Sequence, residues 1–144
     1  MYQKILVALE NGPADLRLLP HVSELARRMG AELLLLHVAD GWAARNFEQL
    51  HLAESDEMKA DGEYLESTAA RLRGTGLQVD TVLALGNPPN EIVKIAAQSG
   101  CDLIALASHG HKLLADLVYG STIDKVRHNT SIPLLVVSSG TKSG

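Results

Sequence analysis

Short apolar runs with no polar face recur along this chain, and they constrain its fold more than any other feature. Lys4 to Leu9 reads KILVAL, Glu32 to Val38 reads ELLLLHV, Asp102 to Ala107 reads DLIALA, and Pro133 to Val137 reads PLLVV. A strand that faces water on one side alternates polar with apolar residues, so an unbroken apolar strand must be covered on both faces. Leu77 to Leu85 adds a fifth strand, and stretches of helical periodicity separate all five. Parallel strands joined by right-handed helical crossovers make a three-layer, doubly wound α/β sheet. The runs Lys4 to Leu9 and Asp102 to Ala107 are the most uniformly apolar and belong at the centre, which predicts the order 3-2-1-4-5. The C-terminal ends of those two strands would then flank one crevice lined by Leu9, Glu10, Val38, Ala107 and Gly110.

The intervening helices have readable ends. After the turn Glu10-Asn11-Gly12-Pro13, Asp15 is placed to cap a helix in which Leu19, Val22, Leu25, Ala26 and Met29 repeat at helical spacing. Pro20 must lie in its first turn or kink it. Gly30 ends it. Ala39 to Asn46, with Gly41 and Trp42, lacks a period and reads as a loop. Phe47, Leu50, Met58, Leu65, Ala69 and Leu72 then mark a long surface helix to Arg73, loosened at Gly62, whose charged run Glu54 to Glu66 is its solvated face. Gly86-Asn87-Pro88 forms a turn before a helix over Pro89 to Gln98, and a last helix runs from about Ser121 to His128. Neither a linker nor a repeat divides the 144 residues, 46% of them hydrophobic, so residues 1–144 are expected to form one domain with a polar tail from Ser138.

Composition excludes several functions. A formal charge of −4 without a basic stripe argues against nucleic-acid binding. Tyr2-Gln3-Lys4 leads straight into a strand, no signal peptide is evident, and no apolar run is long enough for a bilayer, so the expected location is the cytoplasm, away from membranes. A lone Cys101 at the head of an apolar strand fits a reducing compartment and reads as a small buried hydrophobe. The chain has no Gly-x-x-x-x-Gly-Lys-Ser/Thr loop, no Gly-x-Gly-x-x-Gly after the first strand and no Gly-x-Ser-x-Gly elbow, and Ser108 lacks an identifiable base. No enzyme activity and no catalytic residue is predicted.

Two glycine corners remain, Ser108-His109-Gly110 and Gly120-Ser121, both expected at the edge where such sheets bind ligands. Glycine lets backbone approach an anion, and amides at a helix N-terminus supply donors and partial positive charge. The chemistry is phosphate binding. Each feature also has a plainer reading. Ser121 with Asp124 forms a capping box, the glycines serve turns, His109 pins a turn, and His37 is a hydrogen-bonded core imidazole. His109 and His111 flank Gly110 without a Cys or carboxylate cluster, so no metal site is assigned.

KILVAL, LLLLHV, Gly86-Asn87-Pro88, DLIALASHG, Gly120-Ser121 and PLLVV together make the chain resemble the small, single-domain universal stress proteins over nearly its whole length. The resemblance implies a Rossmann-like fold that binds adenine nucleotides and a homodimer. The nucleotide-binding branch carries Gly, two residues, Gly, nine residues, then Gly and Ser or Thr. Here Ala107 stands at the first glycine, while Gly110, Gly120 and Ser121 match. Glu10 stands where the family commonly has Asp, and Gly12 near the place of a Ser. The implied site comprises Leu9, Glu10, Val38 beside the adenine, Ala107, Ser108, His109, Gly110, Lys112, Gly120, Ser121 and Thr122. Its ligand would be ATP, with or without magnesium. Two functions follow from the family: a stress-linked regulator that holds ATP with little or no hydrolysis, or a nucleotide-free dimeric scaffold for an unidentified protein partner. Pairing of two copies through Pro133 to Val137 would cover an apolar edge.

Overall fold

A computed structural model describes residues 1–40, 47–108 and 122–138, with residues 40 and 47–57 described by backbone alone. The expected loop at Gly41 and Trp42, the corners His109-Gly110 and Gly120-Ser121, and the tail beyond Ser138 lie outside them. The elements are β1 (Lys4–Ala8), α1 (Asp15–Met29), β2 (Glu32–Asp40), α2 (Phe47–Arg73), β3 (Val79–Gly86), α3 (Pro88–Gln98) and β4 (Leu103–Ser108), followed by α4 over 122–129 and β5 (Leu134–Ser138). All strand pairs are parallel, in the order β3-β2-β1-β4-β5. Leu6 of β1 lies between Leu34 of β2 and Ile104 of β4.

The two faces of the sheet carry separate cores, because successive strand residues point to opposite sides. Ile5, Val7, Leu33, Leu35 and Ala105 meet Leu18 and Val22 of α1 and Leu65 and Ala69 of α2. On the other face, Leu6, Leu34, Leu36 and Ile104 meet Ile92 and Ala96 of α3 and Val126 of α4. Each fully buried aliphatic side chain contributes about 1.5–3 kcal/mol, so the sheet holds together by being covered twice. Cys101 belongs to the second core, where burial pushes its thiol up from the usual range.

Local chemistry sets the ends of these elements. Gly30 closes α1 at φ 67° and donates its N–H to Ala26 O. Asn87 caps α3 by accepting from Asn90 N at 3.2 Å, and Pro88 opens that helix. Pro20 sits in the second turn of α1 and offers no N–H to the carbonyl of Leu16 four residues before it. Asp15 is not a cap. It begins α1 after Ala14, fully buried, and its carboxylate turns back toward the preceding turn. Strand β2 runs on to Asp40, past the limit expected at Val38, because its pairing with β3 continues to Gly86.

At the opposite end of the sheet the Asp102 carboxylate accepts from Gln3 N at 2.9 Å and Lys4 N at 3.0 Å, tying β4 to β1. Burial opposes its charge, but the amides of Lys4 and Gln3 outweigh that cost and hold its carboxyl below the usual range. A carboxylate with a depressed value stabilises the fold above the ordinary carboxyl range and loses that contribution as pH falls through its folded value. Asp102→Asn is therefore expected to cost about 1 kcal/mol at pH 7, a modest figure because solvent screens the site. Urea unfolding should show the gap between variant and parent closing as pH falls below about 4.

Candidate ligand-binding site

The strand order reverses between β1, which leads outward to β2 and β3, and β4, which leads outward to β5. Crossovers on either side of that point leave the sheet in opposite directions and open a crevice at the C-terminal ends of the strands. A cavity of about 370 Å³ occupies it. Ala8, Leu9 and Glu10 line it from the end of β1, Leu36, His37 and Val38 from β2, and Leu106 and Ala107 from β4. Pro88 and Ile92 of α3 and Thr122 and Ile123 of α4 complete the wall. The size suits a small organic molecule, and the lining is mostly apolar with a few polar groups, as in sites that hold a flat ring by packing and orient it by hydrogen bonds.

Five residues expected from the sequence, Leu9, Glu10, Val38, Ala107 and Thr122, meet at this one cavity. Ser108 closes β4 beside Ser138 and is not among the lining residues. His109, Gly110, Lys112, Gly120 and Ser121 lie outside the described residues. Seven lining residues were not anticipated: Ala8, Leu36, His37 and Leu106 on the strands, and Pro88, Ile92 and Ile123 on the helices. The Gly86-Asn87-Pro88 turn was the available signal for Pro88 and Ile92, since it brings the start of α3 to the ends of the strands. Ala107 pairs with Val137 inside β4 and is buried, and Asn11 alone among the described non-glycine residues has positive φ. The methyl group at position 107 therefore causes no backbone strain, and its effect on a ligand is a matter of space.

Behind the cavity, a polar network fixes the turn that carries Glu10. The Asp15 carboxylate accepts from Glu10 N at 3.0 Å, from Asn11 N at 2.9 Å and from the Tyr64 hydroxyl at 3.0 Å. Asn11 adopts φ 58°, and its Nδ2 donates to Asp61 Oδ1 at 2.9 Å. His37 Nδ1 lies 2.9 Å from Leu9 O, and its Nε2 lies 3.4 Å from Asp61 Oδ2. The core imidazole expected at His37 is thus present. Asp61 and Tyr64 were assigned to a solvated face, but three residues apart on α2 they share one side of the helix. Nothing local in the sequence marks that side as facing the turn after β1.

Tyr64 is pushed up to about 12 by burial first and by the Asp15 carboxylate second. A raised value means that the tyrosine's contribution is complete below about pH 10, its ordinary range, and fades as pH rises toward its folded value. Tyr64→Phe removes a donor from a buried carboxylate, with an expected cost of about 1–3 kcal/mol. Thermal unfolding of the two proteins should differ at pH 7 and converge in strong alkali.

Residues 1–138 match the sequence model of the universal stress protein family. Universal stress protein YxiE of Bacillus subtilis is 29% identical over 95% of this chain and 99% of its own length. Universal stress protein MJ0577 of Methanocaldococcus jannaschii is 29% identical over 95% of each chain. The solved structure of MJ0577 superposes with a TM-score of 0.85, covering 100% of this chain and 99% of the other. A universal stress protein in complex with cAMP (TM-score 0.70, 18% identity, 96% and 98% covered) shares the fold. So does one from Archaeoglobus fulgidus in complex with dAMP (TM-score 0.65, 21% identity, 94% and 98% covered). Family match, strand order and crevice agree: the chain belongs to the universal stress protein family.

Proposed function

We propose that this protein is a regulatory module that holds ATP or a related adenine nucleotide in the crevice between β1 and β4, with little or no hydrolysis. The observation that carries this reading is the cavity itself, an apolar slot of about 370 Å³ at the switch point of a doubly wound sheet. Val38, Pro88 and Ile92 offer the apolar walls that a purine ring packs against. Glu10 sits at the rim with a carboxylate that accepts from a ribose hydroxyl or an exocyclic amine. The complexes of two fold relatives with cAMP and dAMP support an adenine nucleotide as the ligand class.

In this reading the phosphates run past Ala107 and Ser108 to the backbone amides near His109, Gly110 and Gly120. The Ser121 hydroxyl and Lys112 charge assist, and Thr122 closes the site. The protein works as a cytoplasmic homodimer whose occupancy a partner protein reads. Binding, not turnover, is the proposed activity.

The second reading, a nucleotide-free dimeric scaffold, draws support from two observations. Ala107 and Glu10 depart from the family's nucleotide-binding pattern, and β5 lies at a sheet edge with Val136 43% exposed. Titration calorimetry with ATP and magnesium separates the two readings. The parent should bind, a bulky residue at Gly120 should abolish binding, and Ser121→Ala should weaken it by about 1–2 kcal/mol, the size of one charge-assisted hydrogen bond. Ala107→Gly should strengthen binding if the methyl group crowds the phosphates. No heat at millimolar nucleotide from the parent or from Ala107→Gly would leave the scaffold reading.

A further inference from the structure

The network behind the cavity approaches it from the opposite face of the sheet. His37 shares strand parity with Leu33 and Leu35, whose side chains meet α1 and α2, whereas Val38 and Leu36 point toward α3 and α4. Both His37 and Val38 nonetheless contribute to the lining. A group on α2 therefore contacts one residue of the cavity wall, His37, without lining it. That group is Asp61, with one oxygen on Asn11 Nδ2 and the other facing His37 Nε2.

Its two contacts are chemically unlike. Leu9 O has only lone pairs, so His37 Nδ1, at 2.9 Å, must carry the hydrogen between them. The remaining nitrogen, Nε2, then has a hydrogen for Asp61 only when the ring is doubly protonated. In the neutral ring, an Nε2 lone pair faces a carboxylate oxygen at 3.4 Å. Asn11 depends on the same carboxylate in either state. Its Oδ1 is buried with no hydrogen-bond partner, so its side chain is held through Nδ2, by Asp61 Oδ1 at 2.9 Å and more weakly by Asp61 O at 3.5 Å.

We propose that Asp61 is a positioning residue for the cavity: through Asn11 and His37 it sets the Glu10 turn and the paired ends of β1 and β2, and so sets ligand affinity. The second half of this inference rests on the adenine-nucleotide reading above. Glu10 shares the cavity wall, and the Asp15 carboxylate holds the Asn11 amide of the same turn. The strand partner of His37 on β3 is the apolar Leu83.

Asp61→Asn keeps the contact to Asn11 through its amide oxygen and presents an N–H to His37 Nε2. Asp61→Ala removes both contacts.

The test has two arms. In the first, ATP–magnesium affinity is measured for each variant by titration calorimetry. Asp61→Ala should lose about fivefold relative to the parent, the low end of coupling between linked sites, and Asp61→Asn should stay near the parent. Glu66→Gln, at an exposed site on the same helix that faces Arg73, should match the parent. Parent-like affinity in Asp61→Ala overturns the link to the cavity.

The second arm needs no ligand. Amide hydrogen exchange at Glu10 and Asn11 should accelerate about tenfold in Asp61→Ala and stay near the parent's rate in Asp61→Asn. Unchanged exchange in Asp61→Ala overturns the positioning role, whatever binds. Faster exchange in a protein that binds no nucleotide retains that role and overturns the nucleotide reading instead, so the two failures are distinct.

Discussion

Burial of β1 on both faces is the constraint from which the rest of the structure follows. Ile5 and Val7 face one helical layer and Leu6 the other, all with no exposed surface. A strand so apolar can lie only inside a sheet with helices on both sides, and parallel neighbours are what helical crossovers provide. Crossovers from β1 to β2 and from β4 to β5 then diverge, and their divergence opens the crevice. The cavity is thus a product of topology, and the side chains that line it only refine its shape.

Polar groups near that crevice do a different job. Three donors converge on the Asp15 carboxylate, which is wholly buried, and leaving such a charge without partners would cost several kcal/mol. The turn after β1 therefore has little choice of conformation. Asn11 pays for this with positive φ, which asparagine tolerates better than most residues. The helix α2, which in sequence resembles a solvated surface helix, takes part through Tyr64 and Asp61. It links the outer layer to the rim of the cavity.

The parts of this architecture that were legible in the sequence are those governed by local pattern. Apolar runs located all five strands within two residues, the bounds of α2 from Phe47 to Arg73 followed from its periodicity, and Gly30 marked the end of α1. Strand order came from relative apolarity, because central strands tolerate no polar face. Four lining residues, Leu9, Glu10, Val38 and Ala107, were also legible, since a strand's C-terminal end can be counted from its sequence, and Thr122 followed from the family resemblance. What escaped was long-range and polar. Asp15 looks like a helix cap in its own segment, and only the approach of Tyr64, 49 positions away, shows that it is a buried anchor. Asp61 and Asn11 are 50 positions apart and carry no mark of their contact. Pro88 and Ile92 reach the cavity through the packing of α3, which periodicity does not fix in space.

The most direct test of the central claim, that the crevice between β1 and β4 is the ligand site, is a backbone amide NMR titration with ATP and magnesium. The account predicts shifts at Leu9, Glu10, Val38, Ala107 and Thr122, which line the cavity, and none at Gln3, Glu32 and Asp102 at the far end of the sheet. Shifts centred on that far end, or no shift at saturating nucleotide, would contradict it.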